Sequence, residues 1–181
     1  MKRFLMALGL FIFSVTAMAE LGPDELVRRT VDDVLASVKS DKEIQEGNQA
    51  RIFALAEEKI VPNFNFEKMS RLVLGRNWTN ASAEQKVAFQ AEFKTLLLRT
   101  YATALSKYKN LTIDFRPFRM ESNESIATVR TMIRQPGGQP IAVDYTLDKS
   151  GDTGWKVYDI VIEGVSLVTN FRSQFAQEVR Q

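Results

Sequence analysis

The sequence predicts an α+β fold in which helices pack on an antiparallel sheet. Apolar residues follow the 3.6-residue period of a helix as far as Lys109. From Leu111 onward they alternate with polar residues, as in strands that bury one face, and after Gly164 the helical spacing returns. Helices first, a sheet second and one closing helix form the element order of an α+β domain.

Residues 1–19 have the pattern of a secretory signal peptide. Two basic residues precede an apolar run of a dozen residues, Phe4 to Val15, and Ala17-Met18-Ala19 supplies the small residues that a signal peptidase recognises. The run is shorter than the roughly 18 apolar residues that a membrane-spanning helix needs. We therefore expect cleavage after this segment, a single domain over residues 20–181, and a periplasmic location.

The composition excludes most familiar catalytic chemistry. The 181 residues include no Cys and no His, so the chain offers no imidazole base, no thiol nucleophile, no zinc site of the usual ligand types and no disulfide. Lys2 and Arg3 are the whole excess of 24 basic over 22 acidic residues. Without them the chain is formally neutral, and it has no basic stripe that would indicate a nucleic-acid partner.

Three helices are predicted in the first part of the domain. The first opens at Pro23, where two acidic residues follow in a favourable first turn. The second runs over residues 42–60 and is closed by Pro62, and the third runs over residues 65–74 and stops at Gly75. The first helix carries apolar residues at helical spacing on one face: Val27, Val31, Val34, Leu35 and Val38.

The most strongly marked element is a long central helix over residues 82–109. It begins with the capping box Ser82-Ala83-Glu84-Gln85. At 1.5 Å per residue it forms a rod of roughly 40 Å. Its apolar face is formed by Phe89, Phe93, Leu96, Leu97, Tyr101, Ala104, Leu105 and Tyr108.

Four strands are predicted to form a curved antiparallel meander against which the helices pack. They cover residues 111–119, 125–135, 140–148 and 155–163, with turns rich in Gly and Pro between the later ones. The chain then closes with a helix that follows Gly164.

The strand over residues 155–163 is predicted to be apolar on both faces. A sheet with one solvated face would not need this pattern. Either the C-terminal helix covers the second face, or the sheet and the long helix enclose an apolar cavity. By simple alternation, one face carries Tyr158, Ile160 and Ile162, and the other carries Trp155, Val157 and Val161.

Several short segments, taken in order, resemble one known family, the periplasmic phospholipid-binding proteins of the MlaC or toluene-tolerance type. The resemblance covers essentially the whole chain after the signal segment, and it depends on the ordered set rather than on any single motif. The segments include Pro62-Asn63-Phe64-Asn65-Phe66, Leu74-Gly75-Arg76-Asn77-Trp78, Trp155-Lys156-Val157-Tyr158-Asp159, Glu163-Gly164-Val165-Ser166-Leu167 and Asn170-Phe171-Arg172-Ser173-Gln174-Phe175.

The resemblance implies a cone-like fold similar to that of nuclear transport factors, with acyl chains inside. It implies a carrier that shuttles glycerophospholipid between an outer-membrane lipoprotein-porin complex and an inner-membrane transporter with an MCE-type ring, and so maintains the lipid asymmetry of the outer membrane. No catalytic residue, metal or cofactor is expected besides the bound lipid. The side chains expected to contact lipid are Trp78, Phe93, Leu97, Tyr101, Val143, Tyr145, Tyr158, Ile160, Val165, Val168 and Phe171.

For each of these side chains the alternative is ordinary core packing. Contact with lipid is favoured for the five that lie on elements expected to face each other, and Val165→Glu is then expected to abolish lipid retention. Three cations are candidate donors to a lipid phosphate, although solvated surface residues would look the same: Arg76, Arg99 and Lys107. The favoured five are Tyr101, Val143, Tyr145, Tyr158 and Val165.

Two other function classes remain open from the sequence. An isomerase or dehydratase could use an Asp base with Tyr donors in an apolar pocket, and Asp144-Tyr145 and Tyr158-Asp159 supply these residue types. Adjacent strand residues point to opposite faces, however, so inward tyrosines leave both carboxylates outward. A periplasmic adaptor without a ligand would instead have a filled core.

Overall fold

The computed structural model of the protein describes residues 21–102, 111–121, 123–149 and 151–178. These residues form an antiparallel sheet in the order β1-β2-β3-β4-β5, so that every strand pairs with its neighbours along the chain. Helices cover both sides of this sheet, and the predicted α+β class is confirmed. The predicted signal segment, residues 1–19, lies outside the described residues.

The helices follow the predicted order, with one helix broken in two and one added. Gly47 has a φ of +86°, and the side chain of Asn48 then caps a new helix by accepting a hydrogen bond from the Arg51 N–H. The predicted helix over residues 42–60 is therefore two. The helices are α1 (Pro23–Ser40), α2 (Lys42–Gln45), α3 (Gln49–Lys59), α4 (Phe66–Leu74), α5 (Arg76–Asn80), α6 (Ala83–Tyr101) and α7 (Leu167–Glu178), with a 3-10 turn at Val61–Asn63.

The long helix begins as predicted. The Ser82 hydroxyl accepts from the Gln85 N–H, and the Gln85 side chain accepts from the Ser82 N–H, so the capping box is formed. The helix is described as far as Tyr101, and the predicted continuation over residues 103–110 lies outside the described residues. No helix in the described ranges is long and apolar enough to cross a bilayer.

The sheet has a fifth strand that the sequence did not predict. Glu163 and Gly164 both have positive φ, 49° and 80°, which is the backbone of a tight two-residue hairpin. The chain therefore turns back on β4 and adds a two-residue edge strand before the last helix. The strands are β1 (Thr112–Phe115), β2 (Ile126–Arg134), β3 (Ile141–Lys149), β4 (Trp155–Ile162) and β5 (Val165–Ser166).

A β-bulge in β4 changes which of its residues share a face. Thr146 pairs with Asp159, but the next residue of β3, Leu147, pairs with Val157, so Tyr158 is an extra residue. The predicted alternation along this strand is therefore wrong, because the bulge shifts it by one residue. One face carries Trp155, Val157, Ile160 and Ile162, and we call it the inner face.

Tyr158 lies on the opposite, outer side of the sheet. The Lys68 ammonium of α4 lies 3.6 Å from the centroid of its ring and also pairs with Asp148 at 2.9 Å. The ring packs against a cluster formed by α4, α6 and α7, which we call the outer cluster. Its buried members are Met69, Val73, Phe93, Leu97, Val168 and Phe171.

The inner face is covered by α1. Val27 of this helix packs against Val129, Leu147 and Val157 of the sheet. The second half of α1 packs instead on α2 and α3 through Val34 and other residues. The first half of α1 thus contacts the inner face of the sheet, and its second half contacts the neighbouring helices.

Asp159 holds α7 on the outer side of the sheet. Its carboxylate accepts from the Ser166 hydroxyl at 2.6 Å and from the Val168 N–H at 3.1 Å. The Ser166 hydroxyl in turn accepts from the Thr169 N–H at 3.0 Å. These bonds satisfy backbone N–H groups in the first turn of α7, so Asp159 acts as a structural cap.

Candidate ligand-binding cavity

An apolar cavity of about 400 Å³ lies between α1 and the inner face of the sheet. Its volume falls within the roughly 300–1,000 Å³ of small-molecule sites. The wall consists of one face of α1 (Leu26, Val27, Thr30, Val31, Val34, Leu35 and Val38), the segment after α3 (Ile60, Asn63 and Phe64), and the sheet with its flanking residues (Leu111, Ile113, Ile133, Gln135, Ile141, Val143, Tyr145, Val157, Ile160 and Ile162).

The two walls arise from the two periods seen in the sequence. The α1 residues recur at three- and four-residue spacing, which aligns them along one side of a helix. The sheet residues are alternate members of β3, the paired Ile113 of β1 and Ile133 of β2, and the residues that the bulge brings to the inner face of β4. No charged side chain of the described ranges lines the cavity.

Two polar side chains of the wall satisfy each other. The Asn63 amide donates to the Thr30 hydroxyl at 2.9 Å and to the Lys59 carbonyl at 2.9 Å. The Thr30 hydroxyl donates to the Leu26 carbonyl at 2.8 Å. Because these hydrogen bonds are made within the protein, neither side chain needs a polar partner from a ligand, and the cavity remains apolar in character.

Tyr145 also lines the cavity without adding charge to it. Burial raises the pKa of its phenol, and the hydrogen bond with the Thr131 side chain offsets part of that rise. Thr131 is itself buried, and its hydroxyl donates to the Val143 carbonyl at 2.8 Å. The phenol is therefore neutral at and above physiological pH.

The cavity has a buried end and an open end. At the buried end, Val27 and Val157 are 4% and 3% exposed. At the other end, where β2 finishes and β3 begins, Ile133, Gln135 and Ile141 are only half-buried. The end of the cavity at the β2–β3 turn is therefore the more exposed of the two.

Three of the side chains predicted to contact a ligand line this cavity: Val143, Tyr145 and Ile160. Five others belong to the outer cluster or pack on it, because α6 and α7 cover the outer side of the sheet. Contrary to the prediction, these five side chains do not line the cavity. The five are Phe93, Leu97, Tyr158, Val168 and Phe171.

The other three predicted side chains lie outside both regions. Trp78 is half-buried on α5, where the Lys86 ammonium lies 5.5 Å from the centroid of its ring. Tyr101 is 36% exposed at the end of the described part of α6. Val165 pairs with Ile162 but is 57% exposed, because β5 is the edge strand of the sheet. These placements correct the prediction that the three line a pocket.

The α1 wall of the cavity was not predicted. The apolar face of the first helix was recognised in the sequence but was given no role in the site, and the long helix was expected to enclose the cavity with the sheet. The signal was present in the five aliphatic residues on one face of α1, four of them β-branched valines. Their pattern is the same whether a helix packs on a filled core or on a cavity.

Those charged side chains singled out from the sequence that the structure describes lie away from the cavity. Arg76 lines a separate groove between α4, α5 and α7, and Arg99 is exposed on α6. Lys107 lies outside the described residues. On the outer face of the sheet, the Asp144 carboxylate lies 3.6 Å from Nε of Arg130, and the Asp159 carboxylate caps α7. The described ranges hold no group of three Asp or Glu side chains that could bind a metal ion.

Comparison with known proteins gives consistent matches over most of the chain. A family model described as MlaC protein matches residues 28–181. The chain is 28% identical over 160 residues to the intermembrane phospholipid transport system binding protein MlaC of Haemophilus influenzae, covering 87% of this chain and 75% of that protein. It is 26% identical to the toluene tolerance protein ttg2D of Pseudomonas putida, covering 100% of this chain and 83% of that protein.

A solved structure shares the fold. The phospholipid-binding protein from Ralstonia solanacearum, determined in complex with a phospholipid, is 39% identical to the chain. The TM-score is 0.82, and the match covers 87% of each chain.

Proposed function

The chain belongs to the MlaC family, and we propose that it carries a glycerophospholipid whose acyl chains occupy the cavity between α1 and the inner face of the sheet. The lipid would move through the periplasm between an inner-membrane MCE-type transporter complex and an outer-membrane lipoprotein-porin complex. In this role the protein would contribute to the lipid asymmetry of the outer membrane.

The cavity wall is the observation that carries this proposal. It is almost entirely aliphatic and aromatic, it has no charged side chain from the described ranges, and Thr30 and Asn63 bond to each other. Such a wall offers methylene groups an environment close to that of a bilayer. It offers little to a polar metabolite, which would lose its hydrogen bonds with water on entry.

The energetics of acyl burial explain why a carrier must dock to deliver its lipid. Transfer of each methylene from water to an apolar environment is favourable by about 0.8 kcal/mol. Two acyl chains with about 30 methylenes in total therefore gain on the order of 25 kcal/mol when they are buried. Release into water is therefore negligible. Transfer from the cavity into a membrane or a membrane protein costs little, because both sides of the exchange are apolar.

We assign the lipid-contacting role to the cavity wall rather than to the outer cluster. Val143, Tyr145 and Ile160 supply the sheet side of the wall, and Val31 and Val34 of α1 supply the facing side. A chain lying between them would contact aliphatic groups on both sides.

The same geometry argues against an acid-base enzyme at this site. The carboxylates of Asp144 and Asp159 are engaged on the outer face, and the pKa of Tyr145 is raised by burial, away from the value that a general base needs near neutral pH. An adaptor without a ligand would be expected to fill its core, because unfilled volume in a core costs stability. The proposed role is therefore binding and transport.

Organic extraction of the freshly purified protein, followed by mass spectrometry, tests the proposal. We expect about one two-chain glycerophospholipid per protein molecule, in keeping with burial of the acyl chains. A monomeric protein without such a cavity, purified from the same periplasm, should yield only background lipid. A folded preparation that yields no glycerophospholipid above that background would refute the proposal.

A further inference from the structure

Gln135 is the polar side chain of the cavity wall that has no hydrogen-bonding partner among the residues the structure describes. Thr30 and Asn63 bond to each other, and Tyr145 bonds to Thr131. Gln135 thus retains two N–H donors and one carbonyl acceptor at the edge of an apolar cavity. Polar groups placed in this way in apolar sites commonly orient a ligand.

The β2–β3 turn holds this side chain in place. Gln135 directly follows β2, and its carbonyl accepts from the Gly138 N–H at 3.1 Å. The side chain lies over Gly138, because a Cβ added there would be 2.8 Å from Cδ of Gln135. Gly138 therefore leaves room for the glutamine to sit against its own turn, at the open end of the cavity.

We propose that Gln135 anchors the polar end of the bound lipid, with its amide N–H donating to an acceptor oxygen of the ligand. The inference rests on the proposed function. The glycerol ester carbonyls and the phosphate offer only acceptors, so the amide group of Gln135 must act as the donor. This contact sets the direction of the ligand: its polar end lies at the β2–β3 turn, and its chain ends lie toward Val27 and Val157.

Anchoring by Gln135 implies that the ligand must carry an acceptor at its polar end, where the acyl chains join the glycerol. An alkane of the same length would fill the apolar wall but would leave the glutamine without a partner. Loss of one neutral hydrogen bond costs about 1 kcal/mol, which corresponds to an affinity about fivefold lower. Gln135 would therefore adjust affinity and orientation, while the acyl chains supply most of the binding free energy.

Three variants separate this role from a general effect of the turn. Gln135→Leu removes the donor while keeping a similar side-chain volume. Gly138→Ala keeps the amide but displaces it. Gln139→Leu makes the same chemical change at an exposed position of the same turn that does not line the cavity, and serves as the matched control.

The test measures how each protein partitions a labelled phospholipid against phosphatidylcholine vesicles. Two probes are compared, a diester phosphatidylglycerol and its diether analogue, which keeps the phosphate but lacks the ester carbonyls. We expect Gln135→Leu to bind the diester about fivefold more weakly than the native chain does. Gly138→Ala should fall between them, and Gln139→Leu should match the native chain.

The pattern across the two probes identifies the acceptor. A loss restricted to the diester places the hydrogen bond on an ester carbonyl, and an equal loss with both probes places it on the phosphate or the headgroup, which the two probes share. Unchanged partitioning of both probes by Gln135→Leu, with the native chain still loaded, would overturn the anchor. If the native chain takes up neither probe, the proposed function itself fails.

Discussion

Replacement of Ile160 by Glu should give a folded protein that retains no phospholipid. Ile160 is half-buried, lines the cavity and pairs with Tyr145 across the sheet. A carboxylate there would have to lose its hydration against an aliphatic chain, which costs several kcal/mol when no partner is available. Because each 1.4 kcal/mol is a tenfold change in affinity, we expect bound lipid to fall from about one per protein to less than about a tenth.

The measurement is lipid content by extraction and mass spectrometry, with circular dichroism to establish folding. Val87→Glu is the control, because Val87 is 68% exposed on α6 and far from the wall. If Ile160→Glu does not fold, Val143→Phe offers a second way to obstruct the cavity, by volume instead of charge. Full lipid content in either folded variant would show that the cavity is not the binding site.

Replacement of Phe93 by Ala should have the opposite effect, a large loss of stability without loss of lipid. Phe93 is 2% exposed in the outer cluster, with ring centroids 5.7 Å from Phe89 and 5.5 Å from Phe171. Truncation of a buried Phe to Ala costs about 3–5 kcal/mol through lost burial and the resulting cavity. The free energy of unfolding, measured by urea denaturation of the lipid-free protein, should fall by this amount.

Phe93→Leu gives a milder form of the same test if the alanine variant is too unstable to purify. It should lower the free energy of unfolding by a smaller amount, and lipid bound per folded molecule should remain as in the native chain. A folded Phe93 variant that loses its lipid while its stability is unchanged would place the ligand in the outer cluster instead. The two substitutions thus assign the two apolar regions to different roles.

Most elements of the fold could be predicted because each depends on local periodicity or on a local signal. The capping box at Ser82 and the start of α1 at Pro23 act within a few residues, and the structure contains both. The fifth strand was missed because it depends on Glu163, a non-glycine residue, adopting positive φ in the turn. Nothing in the local pattern indicates that conformation strongly.

The sequence was less informative about the site because the cavity depends on which helix covers which face. The prediction for β4 failed at a single extra residue, Tyr158, which reverses the alternation on one side of the bulge. The prediction for the α6 and α7 aromatics failed because an apolar helix face has the same pattern whichever side of the sheet it covers. Val143 and Tyr145, which were predicted to contact lipid, both line the cavity, since β3 alternates regularly along this stretch.

Intermolecular nuclear Overhauser effects between a bound lipid and the methyl groups of the protein test the central claim most directly. The protein would be loaded with a phospholipid of natural isotope abundance and labelled at its Val, Leu and Ile methyl groups. The acyl methylene protons should show contacts to Val34, Val143 and Ile160 and none to Val73 or Val168. Contacts confined to Val73 and Val168 would contradict the assignment of the acyl chains to the space between α1 and the sheet.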